Sequence, residues 1–222
     1  MIGRNTEEDN FHSLVQEINK VLGPSNGIDS DDVDENELQE LMKAYTSEES
    51  EWKKYYFPSE TLQYTRNVVD KGNGKSNLVQ SPSFESTKVV LIEQLILVWG
   101  PGKKSPIHDH ANAHCIMKVL KGSLTETRFA TPTEDDAQNQ RPMTKTQETT
   151  FAENEVTYMA DTLGVHRISN PHPTEYAVSL HLYTPPNAAT YGCNVFKEDT
   201  SGVVHNTTCH FYSEYGVRTG RK

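Results

Sequence analysis

The chain has 222 residues, 34% of them hydrophobic, and a formal charge of −10, with a pI near 5.4 and a mean hydropathy of −0.70. That charge excludes a nucleic-acid binder and a protein that settles on an anionic membrane, and reads as solubility. No apolar run approaches the ~18 residues of a membrane span. The opening Met1–Asp9 lacks the apolar core of a signal peptide, and Cys115, Cys193 and Cys209 are too few for a disulfide framework, so a cytoplasmic, reducing environment is expected.

In chain order, Phe11, Leu14, Val15, Ile18 and Leu22 recur at helical spacing, and Gly23-Pro24 stops the pattern. An acidic stretch, Asp29 to Glu40, reads as a solvated loop, since an EF-hand's spacing and glycine are missing. Leu38, Leu41, Met42 and Tyr45 form a second helical face. Thr46 with Glu49 resembles a capping box opening a short helix through Trp52 and Tyr55. From Val89 onward the apolar residues gather into short β-branched and aromatic segments: Val89–Trp99, His114–Leu120, Leu124–Phe129, Val156–Met159, Ala177–Tyr183 and Val203–Tyr212. Thr131 to Thr150 is expected to be a surface hairpin or loop. The fold class is mainly β, a sandwich or small barrel with N-terminal α-helices. Residues 1–60 make the helical segment packed on the barrel and 61–222 make the barrel.

Six of the nine histidines lie between His108 and His181. In Ile107-His108-Asp109-His110, residues i and i+2 of a strand share a face, so one segment offers two imidazoles to one ion. Alone such a pair is weak evidence. Gly102 stands six residues before His108, and Gly122 stands twelve after His110. This frame resembles the first cupin motif, with Cys115 where a cupin places its glutamate ligand. Gly164-Val165-His166, then Asn170, matches the second motif in part and would supply a third imidazole. A hydrogen-bonding role for His166 inside the barrel is the plainer alternative.

Three neutral imidazoles without a carboxylate make an unusual iron site, since the common facial triad uses two His and one Asp or Glu. A substrate that brings its own anion, such as a thiolate, would restore the charge balance.

Further stretches extend the likeness: Tyr64-Thr65-Arg66-Asn67, Trp99-Gly100, His114-Cys115, Leu163-Gly164-Val165-His166-Arg167, Ser179-Leu180-His181-Leu182-Tyr183 followed by Pro185-Pro186, and Phe211 to Thr219. Together they resemble the cysteine dioxygenases of eukaryotic and fungal type within the cupin superfamily. The resemblance implies a cupin small β-barrel or jelly roll and a mononuclear non-haem Fe(II) held by His108, His110 and His166. It implies cysteine catabolism, with L-cysteine and O2 as substrates and cysteine sulfinate as product. All four electrons come from the substrate, so no external reductant is required.

Catalytic roles are implied for Tyr183, His181, Ser179 and Cys115. In the family the stripe Ser179, His181 and Tyr183 forms a relay ending at the tyrosine hydroxyl. Cys115 and Tyr183 match the positions joined by a thioether crosslink; unlinked, Cys115 is a small buried thiol. Arg66, assisted by Tyr64, would clamp the substrate carboxylate bidentately. Relatives acting on 3-mercaptopropionate place glutamine at the position of Arg66, so arginine favours cysteine. The alternatives are a dioxygenase for another small thiol and a non-redox metal-binding cupin. A monomer is expected, with no nucleic-acid or membrane partner.

One departure stands out. The family runs almost directly from Gly72-Asn73-Gly74-Lys75 into the strand before Trp99, whereas here a segment of roughly Val79 to Gln94 intervenes. It is either an insertion that loops out, leaving Leu95–Trp99 as the strand, or a retained intron.

Overall fold

A computed structural model describes residues 9–22, 34–72, 93–207 and 210–220. Three short helices open the chain: α1 (Asn10–Leu22), α2 (Glu35–Ala44) and α3 (Glu49–Trp52). The barrel strands are β1 (Tyr64–Asp70), β2 (Glu93–Trp99), β3 (Ile107–His108), β4 (His114–Lys121), β5 (Ser123–Phe129), β6 (Lys145–Ala152), β7 (Val156–Met159), β8 (Val165–Ser169), β9 (Ala177–Thr184), β10 (Cys193–Phe196), β11 (Val203–Thr207), β12 (Ser213–Glu214) and β13 (Val217–Arg218). Helices α4 (Glu134–Gln138) and α5 (Asn187–Tyr191) sit in the connections.

The strands form a seven-stranded sheet, β13-β12-β1-β2-β9-β4-β7, and a six-stranded sheet, β11-β10-β3-β8-β5-β6. One apolar core joins the two: Leu95, Leu97, Trp99, Met117 and Val119 from the first sheet meet Leu124 and Ile168 from the second. Two packed sheets with helices at the N-terminal end are the expected mainly β fold. A second core lies on the outer side of the larger sheet. There Phe11, Leu14, Ile18, Leu38, Met42 and Trp52 pack on Ile116, Leu120, Val178, Leu180 and Leu182. Strand alternation makes both cores possible, because successive side chains of β4 and β9 leave on opposite faces.

Several sequence expectations change. The acidic stretch is not all loop. Asp34 caps α2, accepting from the backbone N–H groups of Asn36 and Glu37, so Glu35 to Glu40 are helical. Acidic residues suit a helix's first turn, and buried Leu38 and Met42 anchor its other face. Residues 29–33 lie outside the described residues. The cap of α3 is Glu48 rather than Thr46. Ser47 is pinned to the barrel, its N–H bonded to Asn154 Oδ1 and its hydroxyl to the Leu120 carbonyl, which delays the helix start.

The stretch from Thr131 to Thr150 holds structure too. Thr133 and Asp136 cap α4 reciprocally, and β6 pairs with β5 along its length. Strand β6 is a polar, mostly exposed edge, the kind that carries no apolar alternation. Strands β8 and β10 were not marked by the pattern. Of the expected strand Val203–Tyr212, only Val203–Thr207 is a strand among the described residues. Residues 79–92 of the extra segment lie outside the described residues. Its last two, Glu93 and Gln94, belong to β2, and Leu95–Trp99 form the strand between β1 and β9.

Candidate metal centre and active site

Strands β3 and β8 are antiparallel neighbours that pair His108 with His166. His110 reaches the same point from a turn and not from a strand, because β3 ends at His108. Ala111 and Asn112 in that turn have φ of 52° and 61°, left-handed values that cost a side-chain-bearing residue energy. The Asp161 carboxylate holds the turn, accepting from the N–H of His110 and of Asn112 at 2.7 Å each. On the other side, Gly164 leads into β8 at φ 111°, where an added Cβ would stand 2.2 Å from the Phe129 carbonyl oxygen. Only glycine delivers His166 from that position.

One ligand atom of each histidine lies within 4.8 Å of the others. The hydrogen bonds decide which nitrogen each ring presents. His166 Nδ1 donates to Glu126 Oε1 at 2.7 Å, and His108 Nδ1 donates to the Pro106 carbonyl at 3.1 Å. Both rings therefore present a lone pair at Nε2. His110 is buried, and neither of its ring nitrogens has a hydrogen bond among the described residues; Asp161 Oδ1 stands 3.6 Å from its Nδ1. A buried ring nitrogen without a hydrogen bond is costly, and a ligand at Nε2 accounts for it, so the donor set fits a divalent metal.

Charge states fit as well. Burial, reinforced by the neighbouring rings of His166 and His110, pushes His108 well below the ordinary imidazole range. Burial also pushes His166 down to about 4, against the pull of Glu126. Both are neutral at pH 7, the form that binds metal. At His110 burial acts downward too, but Cys115 and Asp161 outweigh it and raise the group to about 9. There an ion would displace a proton.

The wall beside the histidines is set by strand register. Cys115 pairs with Tyr183, and Met117 with His181; Leu97 pairs with Ser179 on one side and Arg66 on the other. Ser179, His181 and Tyr183 form a continuous chain. Trp99 Nε1 donates to Ser179 Oγ at 2.9 Å, Ser179 Oγ meets His181 Nε2 at 2.9 Å, and His181 Nδ1 meets the Tyr183 hydroxyl at 3.2 Å. Cys115 Sγ lies 4.0 Å from His181 Nδ1. Burial, with the Arg66 charge nearby, holds His181 neutral. The Tyr183 ring stands 6.2 Å from His110 and 5.5 Å from the Arg66 guanidinium. Arg66, Tyr64, His108 and Cys193 line one cavity of about 270 Å³, and Tyr64 packs on Trp99 at 4.6 Å. Cys115 and Cys193 are buried and in no disulfide.

Every site residue singled out in the sequence thus converges here. The sequence alone marks no role for Trp99 at the head of this hydrogen-bonded chain, nor for Glu126 and Asp161 behind two of the histidines. Glu126 had a signal: it shares a face of β5 with buried Leu124. Asp161 had none.

The model of the family described as Cysteine dioxygenase type I matches residues 6–81 and 89–198. The chain is 42% identical over 189 residues to "Cysteine dioxygenase type 1" of Homo sapiens, covering 85% of this chain and 82% of that one. It is 40% identical over 191 residues to the same-named protein of Danio rerio, covering 86% and 83%. Among solved structures, an uncharacterized conserved protein with a double-stranded beta-helix domain from Klebsiella pneumoniae matches at a TM-score of 0.44 and 16% identity, over 65% of this chain and 93% of that one. By the family match and the identity to its relatives, this chain belongs to the cysteine dioxygenase type I family.

Proposed function

We propose that the chain oxidises L-cysteine with O2 to cysteine sulfinate at a ferrous ion held by His108, His110 and His166. The observation that carries this reading is the cluster of three imidazoles with Cys115 in the place of a carboxylate ligand. Ferrous iron held by these three histidines would supply the one-electron chemistry that lets a thiol react with O2.

The chain's own residues do the rest. Arg66, in the same cavity as His108, binds the substrate carboxylate through its planar fork and turns the sulfur toward the histidines. Tyr64, seated on Trp99, assists. Trp99, Ser179 and His181 fix the Tyr183 hydroxyl, which donates or accepts a proton beside the reacting oxygen atoms. Cys115 and Tyr183 are cross-strand neighbours and form a thioether: sulfur bonds the ring carbon beside the hydroxyl, two hydrogens leave, and O2 takes the two electrons. The link pins Tyr183 and keeps water out. All these residues come from one chain, so the monomer suffices. The two described cysteines, buried and in no disulfide, suit the cytoplasm, where the enzyme would begin cysteine catabolism. No helix among the described residues is long and apolar enough to cross a membrane.

The test is anaerobic loading with ferrous iron, followed by turnover of L-cysteine and 3-mercaptopropionate in air. One iron per chain and faster turnover of cysteine support the reading. Preference for 3-mercaptopropionate would move it to another thiol, and iron binding with neither sulfinate would favour a non-redox cupin.

A further inference from the structure

We propose that Glu126, set by Arg128, supplies from behind His166 the negative charge that the three-histidine donor set lacks. This rests on the histidine cluster holding a metal. Glu126 is 2% exposed and its two oxygens are divided between separate partners. Oε1 takes the His166 Nδ1 hydrogen bond at 2.7 Å. Oε2 accepts from Arg128 Nε at 3.0 Å, Arg128 Nη2 at 2.9 Å and the Thr157 hydroxyl at 3.1 Å. Arg128 is fixed in turn, its Nη2 donating to the Tyr158 carbonyl at 2.6 Å.

Stability does not account for this arrangement. A buried ion pair is commonly no better than apolar side chains of the same volume, and Leu124 shows what this face of β5 otherwise carries. The arrangement does account for ligand tuning. A carboxylate accepting from Nδ1–H makes the opposite nitrogen a stronger donor and fixes the ring's orientation. Among the described residues, the His108 ring bonds only the neutral Pro106 carbonyl. Asp161 stands 3.6 Å from His110 Nδ1 and already holds two backbone N–H groups. Among the described residues, the close carboxylate therefore belongs to His166. Arg128 binds the far oxygen, so its charge limits how much of the carboxylate's reaches the imidazole. Glu126 and Arg128 are thus positioning residues for the metal centre.

Three quantities test this on the full-length chain: anaerobic ferrous-iron affinity by chelator competition, the Fe(III)/Fe(II) potential of the loaded protein, and the unfolding midpoint of the metal-free protein. Glu126→Gln keeps the shape and an acceptor but loses the charge. It is expected to weaken iron binding about 10–100-fold and raise the potential, with Glu126→Ala weaker still. Arg128→Gln is expected to lower the potential, opposite in sign. Should Arg128→Gln not fold, Thr157→Val removes a donor from the same oxygen and is expected to lower the potential by less. Variants that move only the unfolding midpoint, with affinity and potential as in the parent, would overturn the proposal and leave a packing role. A parent chain that binds no ferrous iron would remove the metal centre itself, and the proposal with it.

Discussion

Along β9, Ser179, His181 and Tyr183 point into the barrel, while Val178, Leu180 and Leu182 point at the helices. The inner set is polar and buried, and each member is satisfied by a neighbour. Such networks rigidify a site because any missing partner costs the full desolvation of the group left behind. The outer set is apolar and packs in one buried cluster with residues of α1 to α3, at about 1.5–3 kcal/mol per large side chain. One strand thus separates chemistry from docking by parity. Substitutions on the inner face should damage turnover before stability, and those on the outer face the reverse.

The largest effect is expected beyond β9, at the ion the inner face serves. His166→Ala removes a ligand, and sulfinate formation should fall by more than about 10²-fold, beyond the usual cost of losing an outer partner. Iron content measured on the same sample should fall with it. Arg66→Gln leaves the strand intact but removes the charged fork. The kcat/KM for cysteine should drop roughly 30-fold or more, the scale for losing one partner of a buried charge pair. Turnover of 3-mercaptopropionate should suffer less, so comparing the two substrates isolates the clamp.

On the outer face, Leu180→Ala should cost about 2–5 kcal/mol of unfolding free energy while activity per bound iron at 25 °C stays near that of the parent. Equal damage to both readouts would break the division by parity. Lys118 sharpens it further, as a buried ionisable residue on the outer face of β4. It is fully buried, its Nζ donates to the Asn154 carbonyl at 3.0 Å, and Tyr45 lies 5.9 Å away. Burial lowers it from 10.5 to about 8. A folded pKa below the unfolded one means the charged amine is penalised in full below about pH 8. The penalty is relieved as pH climbs toward 10.5. Relative to Lys118→Met, the parent should therefore gain up to about 3 kcal/mol between pH 7.5 and 10.5, read from denaturant unfolding at the two pH values.

The sequence carried those parts of the fold that use short β-branched and aromatic runs or helical periodicity. Strands β2, β4, β7 and β9 and helix α1 were legible for that reason. Strand β1 was not, because only Val68 and Val69 in it are buried apolar residues, and its buried Asn67 instead bonds Thr65, the Ile96 carbonyl and Ser213. Strand β6 has a polar edge with no buried face to betray it. At the site, the spacing of His108 and His110 and the stripe in β9 were visible because each is local. Glu126 lies 40 residues from His166, and Asp161 lies 51 from His110. Only the closed barrel brings those pairs together. The acidic stretch misled for a different reason: Asp34 and its neighbours serve a helix start, where acidic side chains are as favourable as in a loop.

The central claim is that this three-histidine centre puts both atoms of O2 on a thiol sulfur. Iron-loaded protein turned over with L-cysteine under ¹⁸O2 tests it directly, with oxygen uptake recorded and the product weighed by mass spectrometry. The account predicts one sulfinate per O2 consumed, with both oxygens labelled. A product with a single labelled oxygen, or cystine and peroxide in place of sulfinate, would contradict it.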